Sequence, residues 1–473
     1  MLPTSKDFKA NVHKALNDAT LQEAMNKAKG GFIEKRRIAV EALPEFEHIK
    51  QHGRAIKEEV LNNLADYLEQ FEQQVVNNGG HVHWAQTPAE ARSIVLELCK
   101  QQEAHSIAKG KSMIGEEINL NEALEAEGFE PIETDLGEYI IQLAGEPPSH
   151  IIAPAVHKTK AQIIELFRQH HSPLGYNKTL ETVPEIVNEA REIMREKFIN
   201  ADVGITGANF IIAETGSTMI VTNEGNGDLS ATLPKTHIVL ASLEKVVPTL
   251  EDCSSLLRLL ARSATGQETT TYTTFFNGPK TRPDGSKSEF HVVLVDNERS
   301  KILHSPYRDM LRCIKCGTCM YHCPVYSNLG GHAYGWVYPG PMGSVLTPLM
   351  IGLEQSRDLP NASTFCGRCA EVCPMSIPLP DLLRKHREDE FNQALGPNAK
   401  RWGIRAWSWL SLHPAIYRIV GRVAARSLKL LSRSGTISSL PGMGNWTHSR
   451  DMPSPEGKTF MQHWRRNKTG EKK

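Results

Sequence analysis

The chain has 473 residues, with 54 Lys plus Arg against 54 Asp plus Glu and 40% hydrophobic residues. That length predicts two or three folded units with real cores, and the charge balance excludes a polyelectrolyte role such as non-specific nucleic-acid binding. No run of about 18 uncharged apolar residues occurs, which excludes a transmembrane helix; the opening MLPTSKDFKANVHKAL lacks the apolar stretch of a secretory signal, so a reducing, cytoplasmic setting is expected.

The first 78 residues or so read as helical, with LNNLADYLEQFEQQVV spacing its apolar residues by three and four until Gly79–Gly80 ends the run. HVHWA (81–85) reads as a short strand. Thr87, Pro88 and Glu90 then supply a capping-box start for a helix to about Gln102. Over the next two hundred residues GFEPIET (128–134), HIIAPA (150–155), NFIIAET (209–215), TMIVTN (218–223), HIVLAS (237–242) and FHVVLV (290–295) are strand-like, and the segments from Ala161 and Thr182 are helix-like. Strands alternating with helices predict an α/β domain with a largely parallel sheet covered on both faces. From 301 to 380 the chain turns rich in Cys, Gly and Pro with little periodicity. Such a segment is expected to build little core of its own and to take its order from bound metal groups. From Phe391 to Arg450 there is no Asp or Glu, while Arg418, Arg422, Arg426, Lys429 and Arg433 recur at helical spacing behind Trp402, Trp407 and Trp409. That tail suits an acidic partner or an anionic membrane surface, or is an ordinary helical pair with a solvated basic face; Pro414 prevents one continuous helix.

Seven of the nine cysteines lie between 313 and 373. Cys313, Cys316, Cys319, Cys323 and Pro324 follow the bacterial ferredoxin spacing C-x2-C-x2-C-x3-C-P, in which the fourth cysteine serves the neighbouring cluster. Cys366, Cys369, Cys373 and Pro374 repeat its ending. Crossed ligation therefore predicts Cys313, Cys316, Cys319 and Cys373 on one [4Fe–4S] cluster, and Cys323, Cys366 and Cys369 on the other. The second set is one thiolate short, because Ser363 stands where a full motif has cysteine. Open alternatives are a [3Fe–4S] cluster, a fourth ligand from Ser363, water, substrate or a partner, or recruitment of Cys99 or Cys253. Structural zinc also uses C-x2-C pairs, but without the C-P endings. Cys99 and Cys253 sit on helical segments and read as inert core residues.

The two cysteine runs, with ETDLGEYIIQL (133–143), PSHIIAPAVHK (148–158), residues 206–242 and GHAYGWVYPGPMGSVLTP (331–348), closely resemble the lactate utilization protein B family, iron–sulfur subunits of a three-component bacterial L-lactate oxidation system. The resemblance covers nearly the whole chain. It implies an α/β lactate-utilization (LUD) domain, like ribose-5-phosphate isomerase and CoA-transferases, and a small α-helical and loop dicluster ferredoxin-like domain with helical terminal extensions. The expected division is 1–65 helical arm, 66–300 LUD domain, 301–385 dicluster domain and 386–473 basic extension. The resemblance further implies seven cysteines as the full ligand pattern, and two partners: a cysteine-rich subunit and a separate LUD-domain subunit. The expected role is electron relay during oxidation of L-lactate to pyruvate; the rivals are catalysis within this chain, and a zinc-bound scaffold or regulator.

Other candidates are weaker. Glu214–Ser217 and Asn223–Gly227 are Gly/Asn-rich loops at strand ends, where ligands bind in α/β domains, though hairpin turns need the same residues. Glu133, Asp135, Glu138, His150 and His157 have acid–base chemistry, but as loop charges and turn caps they are not expected to be catalytic. Lys109-Gly110-Lys111-Ser112 lacks the first glycine of a phosphate loop, with His105 in its place. No dinucleotide or flavin signature appears.

Overall fold

The computed structural model describes residues 3–282, 284–432, 435–439 and 450–468, and the chain divides after Glu390 into two units. The first begins with helices Phe8–Asn17, Ala19–Glu41, Phe46–Asn62 and Leu64–Asn77. The expected run through 61–76 is interrupted at Asn63. Each half keeps one buried stripe, Ile49, Ile56 and Val60 on one helix and Leu64, Leu68, Phe71 and Val75 on the next.

Among the described residues ten strands follow: β1 (His81–Ala85), β2 (Ser106–Lys109), β3 (Glu130–Glu133), β4 (Val203–Gly207), β5 (Phe210–Ile212), β6 (Ser217–Thr222), β7 (Thr236–Ser242), β8 (Val246–Val247), β9 (Tyr272–Phe276) and β10 (Glu289–Val295). Six form a fully parallel sheet in the order β1-β10-β7-β4-β2-β3. Every residue of β4 and β7 is buried, as expected of strands sandwiched between layers. NFIIAET and TMIVTN do not join it. They pair antiparallel with each other in a second sheet, β8-β5-β6-β9. The helix after β1, Pro88–Gln101, starts on the Thr87 hydroxyl, which accepts from Glu90 N, while the Glu90 carboxylate takes the amide of Gln86 instead of Thr87.

Two expectations fail. HIIAPA (150–155) is an irregular buried turn. The His150 ring Nδ1 accepts the amides of Ile152 and Ala153 at 2.9 and 3.1 Å, and Pro154 has no amide to give a ladder. The cysteine-rich segment also builds a large core. Helix Gly340–Ile351 is buried at each residue from Gly340 to Pro348, and Tyr326, Tyr334 and Tyr338 are each 1% exposed. Large aromatic areas compensate for the missing periodicity, and the N-terminal helices cover them. Phe8 packs on Tyr334 with ring centroids 5.6 Å apart, Phe32 stacks on Tyr321 at 4.1 Å, and Thr4 N donates to Gly335 O at 2.7 Å.

The second unit has helices Asn398–Ser411 and Pro414–Leu431, a short pair of strands, Thr436–Ile437 with Met452–Pro453, and helix Phe460–Lys468. Pro414 sits in the first turn of its helix, where its missing amide costs nothing.

Candidate metal centre

The two cysteine runs take the same backbone path. In the first, Lys315 and Gly317 flank Cys316 at φ +58° and +72°; in the second, Phe365 and Gly367 flank Cys366 at +55° and +82°. Each glycine then caps a single helical turn, Thr318–Tyr321 or Arg368–Glu371. A side chain at Gly317 would also press on Ile152 and His150, 3.2 and 3.3 Å from its Cβ position. The correspondence reaches residue 363. Lys315 N donates to Cys313 Sγ at 3.4 Å, and Phe365 N donates to Ser363 Oγ at 3.2 Å.

The runs converge on two cavities. Cys313, Cys316, Cys319 and Cys373 line one, among Met310, Ile314, Met342, Met375, Ile377 and Leu379. Cys323, Cys366, Cys369 and Ser363 line the other. Cys373 thus faces the three cysteines of the first run, and Cys323 faces the pair of the second. Burial, followed by Cys373 and Cys313, pushes the Cys316 thiol up; burial, followed by Cys323, pushes Cys369 to about 12. Exposed Cys366 is the exception, held below the usual thiol range by the amide of Arg368 and the Thr364 hydroxyl. Amides also point at the other sulfurs: Thr318 at Cys316, Val325 and Tyr326 at Cys323, Met375 and Ile377 at Cys373, and Ala370 at Cys369. Enclosed sulfur donors with N–H partners and apolar walls fit iron–sulfur clusters, since iron keeps the thiols deprotonated and the amides stabilise sulfur charge. The remaining cysteines line neither cavity. Cys99 and Cys253 are buried on their helices, and burial pushes both thiols to about 12.

The first cavity adjoins a buried ionic network at the carboxyl edge of the parallel sheet. Arg299 pairs with Glu117 at 2.8 Å and Glu244 at 2.7 Å, and Tyr338 OH donates to Glu117 at 2.5 Å. Burial alone would raise Glu244, but Arg299 and Lys315 hold it down at about 2. The Lys315 ammonium lies 4.4 Å over the Tyr338 ring. Lys57 donates to Glu244 O, and burial pushes its ammonium down to about 8 against the pull of Glu244 and Cys313.

Several residues expected in solvent are buried. Glu133, Glu138 and His150 are 3%, 2% and 1% exposed. Lys109 is the cause for the first: its ammonium lies 2.7 Å from Glu133 and 3.1 Å from Glu116. Asp135 is a helix cap as expected, accepting from Gly137 N and Glu138 N. His157 is held between Ser149 and Glu146, at 2.9 and 2.8 Å. Glu214–Ser217 is a structural turn, since a Cβ on Gly216 would lie 2.6 Å from Val75 N. The Asn223–Gly227 loop instead lines a cleft of about 350 Å³ together with Lys111, Asp135, Asn209, Lys245 and Lys315. Sequence reasoning passed over Lys245 and Lys315; the only local signal for Lys245 was a lysine just past a strong strand.

In the second unit Trp402, Trp407 and Trp409 are 69%, 64% and 54% exposed. Arg418, Arg422, Arg426 and Lys429 lie along helix Pro414–Leu431; Arg433 falls outside the described residues.

Three family profiles match in succession: the LUD domain over residues 68–295, a 4Fe-4S dicluster domain over 309–377, and the C-terminal region of lactate utilisation protein B over 385–469. "Lactate utilization protein B" of Bacillus velezensis is 42% identical, covering 96% of this chain and 95% of its own length. The protein of that name in Lysinibacillus sphaericus is 41% identical over 99% of this chain and 98% of its own. The "Uncharacterized electron transport protein YkgF" of Escherichia coli is 38% identical, with 99% and 98% covered. The dicluster match overlies all seven clustered cysteines, and the chain carries two iron–sulfur clusters.

Proposed function

The chain belongs to the lactate utilization protein B family, and from that membership we propose that it is the electron-transfer subunit of a cytoplasmic multi-component system oxidising L-lactate to pyruvate. The observation that carries this reading is the convergence of two distant cysteine runs on two adjacent cavities. In the proposed ligand sets, Cys313, Cys316, Cys319 and Cys373 hold one cluster. Cys323, Cys366 and Cys369 hold the other, with Ser363 Oγ at its fourth corner. Each bound cluster supplies a one-electron carrier.

The two ends differ in exposure. Cys316, Cys319 and Cys373 are buried under apolar side chains that exclude water, whereas Cys366 is exposed. Electrons enter at the enclosed end beside the sheet and leave at the exposed end. The partners proposed are a cysteine-rich subunit and a separate LUD-domain subunit, with the basic tail as a docking element.

Anaerobically purified protein tests the reading by iron and sulfide content and electron paramagnetic resonance. Two clusters are expected, with Cys373→Ser and Cys323→Ser each perturbing a different one. A colourless zinc-loaded protein overturns it, and cluster reduction by lactate with this chain alone moves catalysis into it.

A further inference from the structure

We propose that the cleft at the carboxyl ends of β2, β4 and β7 binds a small 2-hydroxy or 2-oxo acid, placing that acid in this chain beside the first cysteine cavity. The proposal rests on the electron-transfer reading and adds a ligand site to it.

The topology marks the place. From β2 the chain passes to β3 on one side, and from β4 the next strand of the same sheet, β7, lies on the other side. Loops after β2 and β4 therefore part at a switch point, where open α/β sheets bind their ligands. Lys111 follows β2, Gly207–Asn209 ends and follows β4, and Lys245 follows β7; all line the cleft.

The chemistry of the walls selects the ligand. Lys111, Lys245 and Lys315 line the cleft from three separate loops, with the Lys315 ammonium lying over the Tyr338 ring. Lys111 donates to Ile152 O and Lys245 to Ala208 O, which uses one of three donors on each. Of the two acids in the lining, Asp135 caps a helix and Glu224 is on the exposed rim, accepting from Asn223 N. The interior thus favours an anion. Asn226 adds a second requirement: its side-chain Oδ1 is buried and has no hydrogen-bond partner. An acceptor left open there suits the hydroxyl of a 2-hydroxy acid, while the ammonium groups suit its carboxylate. A phosphate is disfavoured. Neither helix that starts in the lining suits it: Met113–Glu117 has only five residues, its Gly115 amide is taken by Ser112 Oγ, and Glu116 and Glu117 follow, while the seven-residue helix Asn226–Thr232 carries Asp228 in its first turn.

The site also adjoins the cluster ligands. Lys315 lies between Cys313 and Cys316. Ile152, in the cleft wall, is 3.2 Å from where a Cβ on Gly317 would sit.

The test is calorimetric titration of the full, cluster-loaded chain under anaerobic conditions with L-lactate, pyruvate and inorganic phosphate in separate arms. Electron paramagnetic resonance of the reduced protein is recorded with and without each. Saturable binding of lactate or pyruvate is expected, weakened at least tenfold in Lys111→Gln and Lys315→Asn, with a shift in the signal of the cluster lost in Cys373→Ser. Asn tolerates the left-handed backbone at 315, and unchanged cluster content certifies that each variant is folded. Asn226→Ala is expected to weaken lactate more than pyruvate. No carboxylate binding, binding indifferent to the lysine variants, or binding of phosphate alone overturns the proposal. None of these outcomes touches the electron-transfer reading, which fails instead if the two cluster signals are absent or if lactate reduces the clusters of this chain alone.

Discussion

Ser363 occupies the position of Cys313 in a repeated backbone, receives the same i+2 amide and lines the second cavity. A hydroxyl is a far weaker iron ligand than a thiolate, so in the proposed ligand set that corner is where the second cluster should break first. Ser363→Cys is expected to slow loss of the second cluster in air several-fold, and Ser363→Ala to convert it on mild oxidation to a [3Fe–4S] species with its own paramagnetic signal. Identical spectra and lifetimes in all three proteins would show that residue 363 does not ligate. Glu138 gives a prediction for pH. Both its oxygens are buried without a partner, and burial, then Glu133, raises its carboxyl well above 4.5. The folded state therefore binds this proton more tightly than the unfolded state, and the associated stability is lost as pH rises. Glu138→Gln keeps the neutral shape, so its stability relative to the parent should grow as pH rises above 4.5, read by denaturant midpoints across a pH series. A constant difference would mean that Glu138 is charged when folded. The seven cysteines were legible because cluster spacing is local in sequence. Lys245 and Lys315 were not, and Lys111 stood out only as part of an incomplete phosphate loop, because separate loops meet only through the sheet order.

At the level of elements, helix Gly340–Ile351 separates close packing from mere apolarity. A Cβ on Gly343 would lie 1.6 Å from Tyr338 O, and Tyr338 is pinned by its bond to Glu117. Gly343→Ala should cost about 3 kcal/mol or more, the upper range for forced overpacking, and lower both melting temperature and cluster content; a variant that melts like the parent would mean this backbone shifts freely. The same contrast governs what could be read ahead of time. HIVLAS and FHVVLV became β7 and β10 because β-branched runs of that length suit a doubly covered strand. HIIAPA has the same apolar character but lies as a buried turn, since burial rewards apolar residues in any backbone and His150 supplies the local acceptor. β4 escaped notice because VGITG carries two glycines. Their reason is tertiary: a Cβ on Gly204 would lie 1.8 Å from Ser230 O. The second sheet was hidden because strand-like runs do not announce which neighbour they pair with.

For the whole molecule, the four apolar cores draw, among the described residues, on nothing beyond residue 383. Stability and cluster binding of the first unit should therefore survive loss of the tail. The tail has the composition of a contact surface instead: nine Lys and Arg with no acid between Phe391 and Arg450, and exposed Trp402, Trp407 and Trp409. Aromatic and cationic side chains together favour recognition of an acidic surface. A chain ending at residue 396 is expected to retain both cluster signals and to melt within a few degrees of the full chain, the shift that about 1 kcal/mol produces at this size. It should no longer co-elute with the proposed cysteine-rich subunit, whereas the full chain should do so at low salt and release it at high salt, because exposed charge pairs are screened. Co-elution of the shortened chain would place the docking surface on the first unit. Retention of the full chain by anionic vesicles, with none by the partner, would assign the tail to a membrane surface.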